Sequence, residues 1–395
     1  MVITMLSSTT IKTIQSTVPL LQSHGETITQ RFYQTMFEEV PALKNVFNMS
    51  NQITQEQPKA LANSVLLFAQ HIDDLEALLP AIELIAQKHC SIGVVPEQYP
   101  LVGKHLLAAI QSVLDLPDGH PALTAWAEGY GFLADALISR ESEIEQTNFN
   151  KAGGWKGFRA FTISQIVAEN KQTKSFYFRP IDGQEVIVFQ PGQFIGIKIY
   201  NHDKSQFQIR QYSLSDNQQY RITVKRDEKG IVSRQLHAAK VGDTVEILPP
   251  NGIFDININF DQQLFIAGGV GITPLMGILK SFAANSNPQQ VGFIQCARSH
   301  EELIFSQELS ALHKVHDFNH KVVLEQGDEG DYSGYLDESV LKTLIAQKMF
   351  EPKAVMVYLC GPIVFMRAVN KALQAVGVPR SQIQYEVFGP DNGLD

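Results

Sequence analysis

From Thr10 to about Gln146 the apolar residues fall at helical spacing: Ile11, Ile14, Val18 and Leu21, then Leu61, Val65, Phe68 and Ile72, then Leu123, Trp126, Tyr130, Leu133 and Leu137. That period predicts an all-α first third. Pro41 follows one helix, Pro58 and Pro96 stand at the first turns of two others, and Gly93 comes just past His89. The stretch Asn148–Gly157, with Gly153-Gly154, reads as a linker. Beyond it the period drops to two. Phe176, Phe178, Val186, Val188, Ile195, Ile197, Ile222 and Val224 alternate with polar or differently facing residues, and turns such as Asp182-Gly183 separate them, which predicts an antiparallel β-barrel. From Gln263 the short apolar runs Leu264–Ala267, Val291–Gln295, Lys321–Leu324 and Ala354–Leu359 alternate with helical stretches, as in an α/β domain with a parallel sheet. The expected domains are therefore 1–147, 155–258 and 259–395. No repeat or low-complexity tract interrupts them.

Composition narrows the class. With 44% hydrophobic and 18% charged residues the chain has material for several buried cores. A formal net charge of −9 argues against a nucleic-acid partner, which needs clustered Lys and Arg. Cys90, Cys296 and Cys360 are an odd number and far apart, with no CxxC pair, so free thiols in a reducing compartment are expected. The longest apolar stretch, Leu264–Leu279, contains four glycines and Pro274 and falls short of the ~20 residues that span a bilayer. It reads as strand, turn and helix. The first ten residues lack a secretory pattern, and the expected location is the cytoplasm.

Candidate chemistry begins at His89. It shares a helical stripe with Ile82 and Ile85, so its imidazole faces a core near a helix end, where a histidine is either a hydrogen-bonded core residue or a ligand. Glu141 continues the apolar face of Tyr130, Leu133 and Leu137. Buried there it would need a partner, which Tyr99 could supply; alternatively it belongs to the solvated run Arg140, Glu143, Glu145. A Tyr–Glu pair bonded to a ligating histidine would strengthen its electron donation.

Arg31-Phe32-Tyr33, Val46-Phe47-Asn48-Met49-Ser50, Gln57 through Leu61 and Ile85-Ala86-Gln87-Lys88-His89 resemble the globin domain of flavohaemoglobins. The resemblance implies that His89 ligates the iron of haem b, that Phe47 packs on the haem and that Tyr33 donates to bound O2. It also implies that Gln57 and Leu61 shape the distal pocket and that Tyr99 and Glu141 form the proximal pair, with Glu143 the neighbour most easily confused for Glu141. Met5-Leu6 followed by Thr10-Ile11 resembles the family's opening, leaving Met1–Thr4 as an extension.

A second set lies in the β-rich middle. Arg210-Gln211-Tyr212-Ser213 offers a guanidinium for phosphate, an aromatic face for an isoalloxazine and a hydroxyl for a ring nitrogen. Pro191-Gly192-Gln193-Phe194 precedes it. Gly230-Ile231-Val232-Ser233 follows, where Ser233 could open a helix whose N–H groups meet a pyrophosphate. These motifs resemble a ferredoxin-reductase-type FAD domain, with phenylalanine at 194 where that family often has tyrosine. Gly268-Gly269-Val270-Gly271-Ile272-Thr273-Pro274 follows a strand and precedes a helix, an arrangement that brings backbone close to a pyrophosphate. With Cys360-Gly361-Pro362 it resembles the nicotinamide-binding pair of that superfamily, though Cys360 could equally be a small buried residue. Tyr385-Glu386-Val387-Phe388-Gly389-Pro390 resembles the family's end, where Phe388 lies by the flavin.

The resemblance thus implies a three-part oxidoreductase taking electrons from NADH, or NADPH, through FAD to haem, and a nitric oxide dioxygenase converting NO and O2 to nitrate. It implies a monomer that needs no partner beyond these small molecules. Two other classes compete: an O2-binding or sensing globin kept ferrous by its reductase, and a reductase for peroxides or an external acceptor.

Overall fold

A computed structural model describes residues 6–47, 49–200, 206–284, 290–316 and 318–394, the side chains of residues 50 and 51 excepted. The expected start at Met5, the extension Met1–Thr4, Asn48 and the Ser50 side chain lie outside the described residues. The chain packs as two compact units, Met1–Gly157 with Tyr200–Arg210 and Gly389–Asn392, and Phe158–Ile199 with Gln211–Phe388 and Gly393–Asp395.

The first unit is helical: α1 (Ser8–Ser16), α2 (Val18–Glu39), α3 (Met49–Ile53), α4 (Glu56–His71), α5 (Leu75–Ile92), α6 (Tyr99–Val113) and α7 (Pro121–Asn150). The chain's own chemistry sets these limits. Asp74 caps α5 by accepting from the Ala77 N–H at 3.3 Å, and Gly93 ends it in the left-handed region at φ 72°. Pro121 stands in the first turn of α7, which runs to Asn150 and so takes in the start of the expected linker. One core gathers Ile14, Ile28, Phe32, Met36, Phe68, Ile110 and Trp126. Full burial of such a side chain contributes about 1.5–3 kcal/mol. Among the described residues no single helix is long and apolar enough to cross a membrane.

Beyond the helices the chain forms two six-stranded sheets, which lie in the second unit except for Tyr200 and Phe207–Arg210 at strand ends of the first sheet. The first contains β1 (Arg159–Asn170), β2 (Thr173–Pro180), β3 (Phe194–Tyr200), β4 (Phe207–Ser213), β5 (Arg221–Lys225) and, after helix α8 (Ile231–Ala238), β6 (Thr244–Ile247). Its order is β4-β3-β6-β1-β2-β5, and β1 pairs antiparallel with β2 and β6, β2 with β5, and β3 with β6. An antiparallel bridge between Leu214 and Ile222 joins its two ends, which closes the barrel around Phe161, Phe176, Ile195, Ile197 and Ile222.

The expected strand at Val186–Val188 does not form. The segment lies outside the ladders with Val188 82% exposed, while Ile187 and Phe189 turn inward and the Ile187 carbonyl accepts from the Tyr220 hydroxyl at 2.9 Å. The alternation is present, but a side chain takes the place of a ladder partner. Ser233 also differs from expectation. Gly230 caps α8, so Ser233 sits inside the first turn, where its hydroxyl accepts from the Asp227 N–H at 3.2 Å.

The second sheet is built from β7 (Gln262–Gly268), helix α9 (Ile272–Ala284), β8 (Gln290–Ala297), helix α10 (Ser306–Val315), β9 (Asn319–Leu324), β10 (Tyr332–Ser333), helix α11 (Glu338–Ala346), β11 (Val355–Cys360), helix α12 (Ile363–Ala375) and β12 (Ile383–Glu386). It is parallel throughout, in the order β10-β9-β8-β7-β11-β12. The order reverses between β7 and β11, and such a switch point opens a crevice at the carboxyl ends of the strands.

Candidate functional site

In the helical unit α5 carries His89 on its last turn. Gly93 then reverses the chain, with Val94 N–H donating to the His89 carbonyl at 3.1 Å, and leads it through Pro96 to Tyr99 at the start of α6. Tyr99 is fixed from behind by the Tyr130 hydroxyl, which donates to its carbonyl at 2.7 Å. From α7, Glu141 reaches the same spot, only 6% exposed. Its Oε1 accepts from the Tyr99 hydroxyl at 2.5 Å and lies 2.7 Å from His89 Nδ1, which is itself 3.0 Å from the Tyr99 oxygen. Glu143 faces away, its side chain 60% exposed and paired with Arg140 at 2.8 Å. His89 and Tyr99 thus meet Glu141, and Glu143 meets Arg140.

Burial, then the Glu141 carboxylate, pushes the Tyr99 phenol far above its usual range, so it stays a proton donor. Cys90 beside it is pushed up to about 12 by burial and Glu141 and is no thiolate. With a proton on Nδ1 the imidazole donates to Glu141, leaving Nε2 as its basic nitrogen.

Tyr33 projects from α2 among aromatic rings, with Phe47 edge-on at 5.7 Å and Phe37 stacked at 5.8 Å. Burial drives its phenol far up, while the amides of Gln57 and Gln52 pull the other way. Gln52 was not anticipated from the sequence. It is buried, and its Nε2 has no hydrogen-bond partner of normal geometry among the described residues. In the same unit Phe47, Leu61, Val65, Ile82, Ile85 and Val102 are only partly buried although they pack on its cores.

These residues fit a haem. The partly buried apolar side chains suit a flat hydrophobic macrocycle, and one histidine with an oriented Nδ1 suits an iron whose remaining ligands come from the porphyrin. Among the described residues no group of three His, Cys, Asp or Glu side chains could hold a bare ion.

In the second unit the Leu214 N–H donates to the Gln193 carbonyl at 2.9 Å, which sets the Pro191–Phe194 turn beside the end of the Arg210–Ser213 motif. Gly192, at φ 96°, has room for no side chain: a Cβ there would lie 2.0 Å from the Phe254 carbonyl oxygen. Phe194 is buried against Gly252, Ser213 and Val232 are buried, Gln211 is exposed, and Tyr212 is partly buried. Arg210 donates to the Ile209 carbonyl at 2.7 Å and to Gln208 at 2.9 Å, both on its own strand. Tyr212, partly buried at the end of β4, is the aromatic side chain that could meet a flavin ring there.

At the switch point Ala267 and Cys360 are register neighbours on β7 and β11. A Cβ on Gly271 would lie 2.2 Å from the Cys360 carbonyl oxygen, so the turns Gly268–Gly271 and Cys360–Pro362 abut backbone to backbone. Gly269, at φ 53°, opens onto free space, and Ile272 and Pro274 point into the core. Thr273 donates to the Val270 carbonyl at 3.0 Å. Cys360 is wholly buried and its thiol is pushed well up by burial, so it presents backbone to the crevice. The site offers a bare glycine floor at a helix N-terminus, which suits a dinucleotide pyrophosphate. Val387 is partly buried, and Phe388 is 49% exposed. The adjoining Gly389–Asn392 segment belongs to the first unit, where the Gly389 carbonyl accepts from Lys88 at 2.9 Å; Pro390 is partly exposed.

A globin-like haem cradle, a flavin barrel and a dinucleotide crevice in one chain define a haem- and flavin-containing oxidoreductase. Family models agree: Globin matches residues 30–137, Oxidoreductase FAD-binding domain 160–256 and Oxidoreductase NAD-binding domain 265–371. The chain is 40% identical to the flavohemoprotein of Bacillus subtilis (strain 168) over 99% of each chain, and 39% identical to flavohemoprotein A of Dictyostelium discoideum over 98% of each. Its structure is similar to that of the flavohemoglobin of Malassezia yamatoensis with bound FAD and heme, at TM-score 0.85 and 29% identity over 97% of this chain and 100% of that one. It is also similar to the FAD/NAD-binding domain of nitric oxide dioxygenase from Vibrio cholerae, at TM-score 0.53 and 34% identity over 59% of this chain and 99% of that one. The chain belongs to the flavohaemoglobin family, an oxidoreductase family using haem, FAD and a nicotinamide cofactor.

Proposed function

We propose that the chain is an NAD(P)H-dependent nitric oxide dioxygenase, converting NO and O2 to nitrate, with its three parts at 1–147, 155–258 and 259–395. When bound, FAD takes a hydride from NADH, which leaves as NAD+, and releases the two electrons singly to the haem iron, where O2 and NO react.

The observation that carries this reading is the His89–Tyr99–Glu141 triangle. A carboxylate accepting from both Nδ1 and a phenol draws the Nδ1 proton away from the ring. The imidazole then donates more strongly through Nε2, which favours O–O activation over storage. Tyr33, a neutral phenol held by burial, would donate a hydrogen bond to O2 as substrate, Gln57 and Leu61 would limit the space, and Phe47 would pack against the haem when it is bound. In the reductase part Arg210 meets a flavin phosphate, Tyr212 stacks on the ring, and Gln211, Ser213, Phe194, Gly230, Val232 and Ser233 complete the contacts. The backbone from Gly269 to Pro274, with Cys360-Gly361-Pro362, receives the dinucleotide. The terminal Val387-Phe388-Gly389-Pro390 shields the flavin.

The test is anaerobic reduction of the holoenzyme by NADH, then addition of O2 and NO, followed in the haem and flavin absorption bands. The expected result is flavin bleaching, then ferrous haem, then rapid NO loss with nitrate formed and the iron re-reduced. Slow NO loss from a stable oxygenated form would make it an oxygen carrier, and turnover that survives loss of His89 would make it a reductase for another acceptor.

A further inference from the structure

Arg221, the largest fully buried side chain of the described residues, lies in no cofactor motif. It sits on β5 and grips the segment just beyond Tyr212: Nε donates to the Ser215 hydroxyl at 3.1 Å and Nη2 to the Ser215 carbonyl. Its Nη1 pairs with Glu308 of α10 at 2.8 Å, and its guanidinium lies 4.6 Å from the Phe305 ring. Glu308 also binds Lys280 of α9 at 2.7 Å, and Lys280 closes the circuit on Asp216. Burial opposes the charge on Asp216, but Lys280 and the Gln218 and Gln219 N–H groups hold its carboxyl low. Two acids and two bases therefore neutralise one another where the barrel meets the α/β sheet.

A steric observation points to the same contact. A Cβ on Gly277, one turn before Lys280 on α9, would lie 2.9 Å from the Leu214 carbonyl oxygen and 3.0 Å from that of Asp216. Only a glycine lets α9 approach the segment so closely. The N-terminus of α9 is the Gly269–Gly271 turn, and Leu214–Asp216 continues directly from the Arg210–Ser213 motif.

We propose that Gly277, Lys280 and Glu308, acting on Asp216 and Arg221, are positioning residues that fix the separation between the flavin motif and the nicotinamide turn. They control hydride passage from NADH to the flavin and touch neither cofactor. The proposal rests on the cofactor assignment above. A near-attack geometry tolerates little displacement, so a shift of ~1 Å is enough to slow a reaction by up to about a hundredfold.

The test compares full-length, flavin- and haem-loaded wild type with Lys280→Met and Gly277→Ala. Gly277→Ala keeps every charge and favours the helix, so it carries the test if Lys280→Met sheds flavin. The readouts are anaerobic flavin bleaching at saturating NADH, its isotope effect with NADH deuterated at C4, the NADH dissociation constant, and amide exchange over 214–216 and 269–277 without NADH. In both variants bleaching should slow roughly tenfold or more with a larger isotope effect, NADH affinity should change less than about twofold, and exchange should rise in both segments. Bleaching within about twofold of wild type, or exchange unchanged, would overturn the clamp. A wild type that NADH does not bleach would instead sink the cofactor assignment.

Discussion

Two carboxylates, Glu141 buried and Glu308 half-buried, organise the two halves of this protein, and they do opposite things. Glu141 accepts from two neutral donors, the Tyr99 phenol and the His89 imidazole, so its charge remains directed at the ring. Glu308 lies between Arg221 and Lys280, with Asp216 completing a neutral quartet. A carboxylate with neutral partners can tune the group beside it; one enclosed by cations is electrostatically spent and holds elements together. The comparison predicts that perturbing the first changes iron chemistry at constant stability, whereas perturbing the second changes stability and the reductase step at constant iron chemistry.

The largest effect should come from His89→Ala. Haem retention, read from the Soret band per protein, should be abolished while NADH still bleaches the flavin, because hydride site and ligand lie in different units. Near-normal NO consumption by this variant would break the comparison at its first term. Arg221→Met comes next. It leaves the Ser215 carbonyl without its buried donor and Glu308 with Lys280 alone, so the reductase unit should lose about 1–3 kcal/mol in denaturant titrations followed by flavin fluorescence. The haem band of the folded protein should be unchanged.

Tyr33→Phe tests the far side of the globin pocket. A hydrogen bond to partly charged oxygen contributes ~1.5–3 kcal/mol, so O2 should dissociate roughly 10–100-fold faster in flash photolysis. An unchanged rate would transfer the role to Gln57 or Gln52. Glu141→Gln should cost about 10–100-fold in NO turnover and lower the iron–histidine stretching frequency of the ferrous deoxy form, at normal haem content. Tyr99→Phe should shift both in the same direction. Because the pair acts on one nitrogen, the double variant should lose less than the two singles together. Strictly additive losses with unchanged frequencies would leave Glu141 a structural acid like Glu308.

The two regions also differed in how far the sequence exposed them. The globin side was readable because each residue breaks a local pattern: His89 and Glu141 are polar positions on apolar helical stripes, and a helix buries such a stripe wherever it packs. The flavin and nicotinamide turns were readable through glycines at strand ends. The quartet was not. Arg221 alternates with the inward Tyr220, Ile222 and Val224, so in sequence it occupies a solvent-facing strand position, and it is buried only because α10 covers that face. Lys280 and Glu308 read as helix-surface charges. The one local signal was Gly277, an isolated glycine in an apolar helix, which implies close packing without naming the partner. Val186–Val188 failed in the opposite sense, its alternation being real while its ladder partner was missing.

The smallest predicted effect sharpens the contrast by taking a titratable group with no carboxylate bonded to it. His320 on β9 lies against Phe293 at 5.9 Å and Phe318 at 6.4 Å, and its Nε2 is buried without a partner among the described residues. Burial holds its pKa down to about 4, with His313 and Lys321 adding to that and Asp331 opposing it. The folded value is depressed, so the neutral ring costs nothing above its ordinary value near 6.5. As pH falls from there toward 4, the unfolded chain takes up a proton that the fold refuses, and stability declines by at most about 1.4 kcal/mol per pH unit. Below about 4 both states are protonated and the decline from this residue stops. His320→Phe keeps the ring and removes the proton site. Thermal unfolding of the two proteins at pH 7 and pH 5 should therefore show a smaller drop in the variant, and the difference should vanish when both are compared at pH 7 and pH 8. Equal drops between pH 7 and pH 5 would mean that Asp331 already stabilises the protonated ring in the fold.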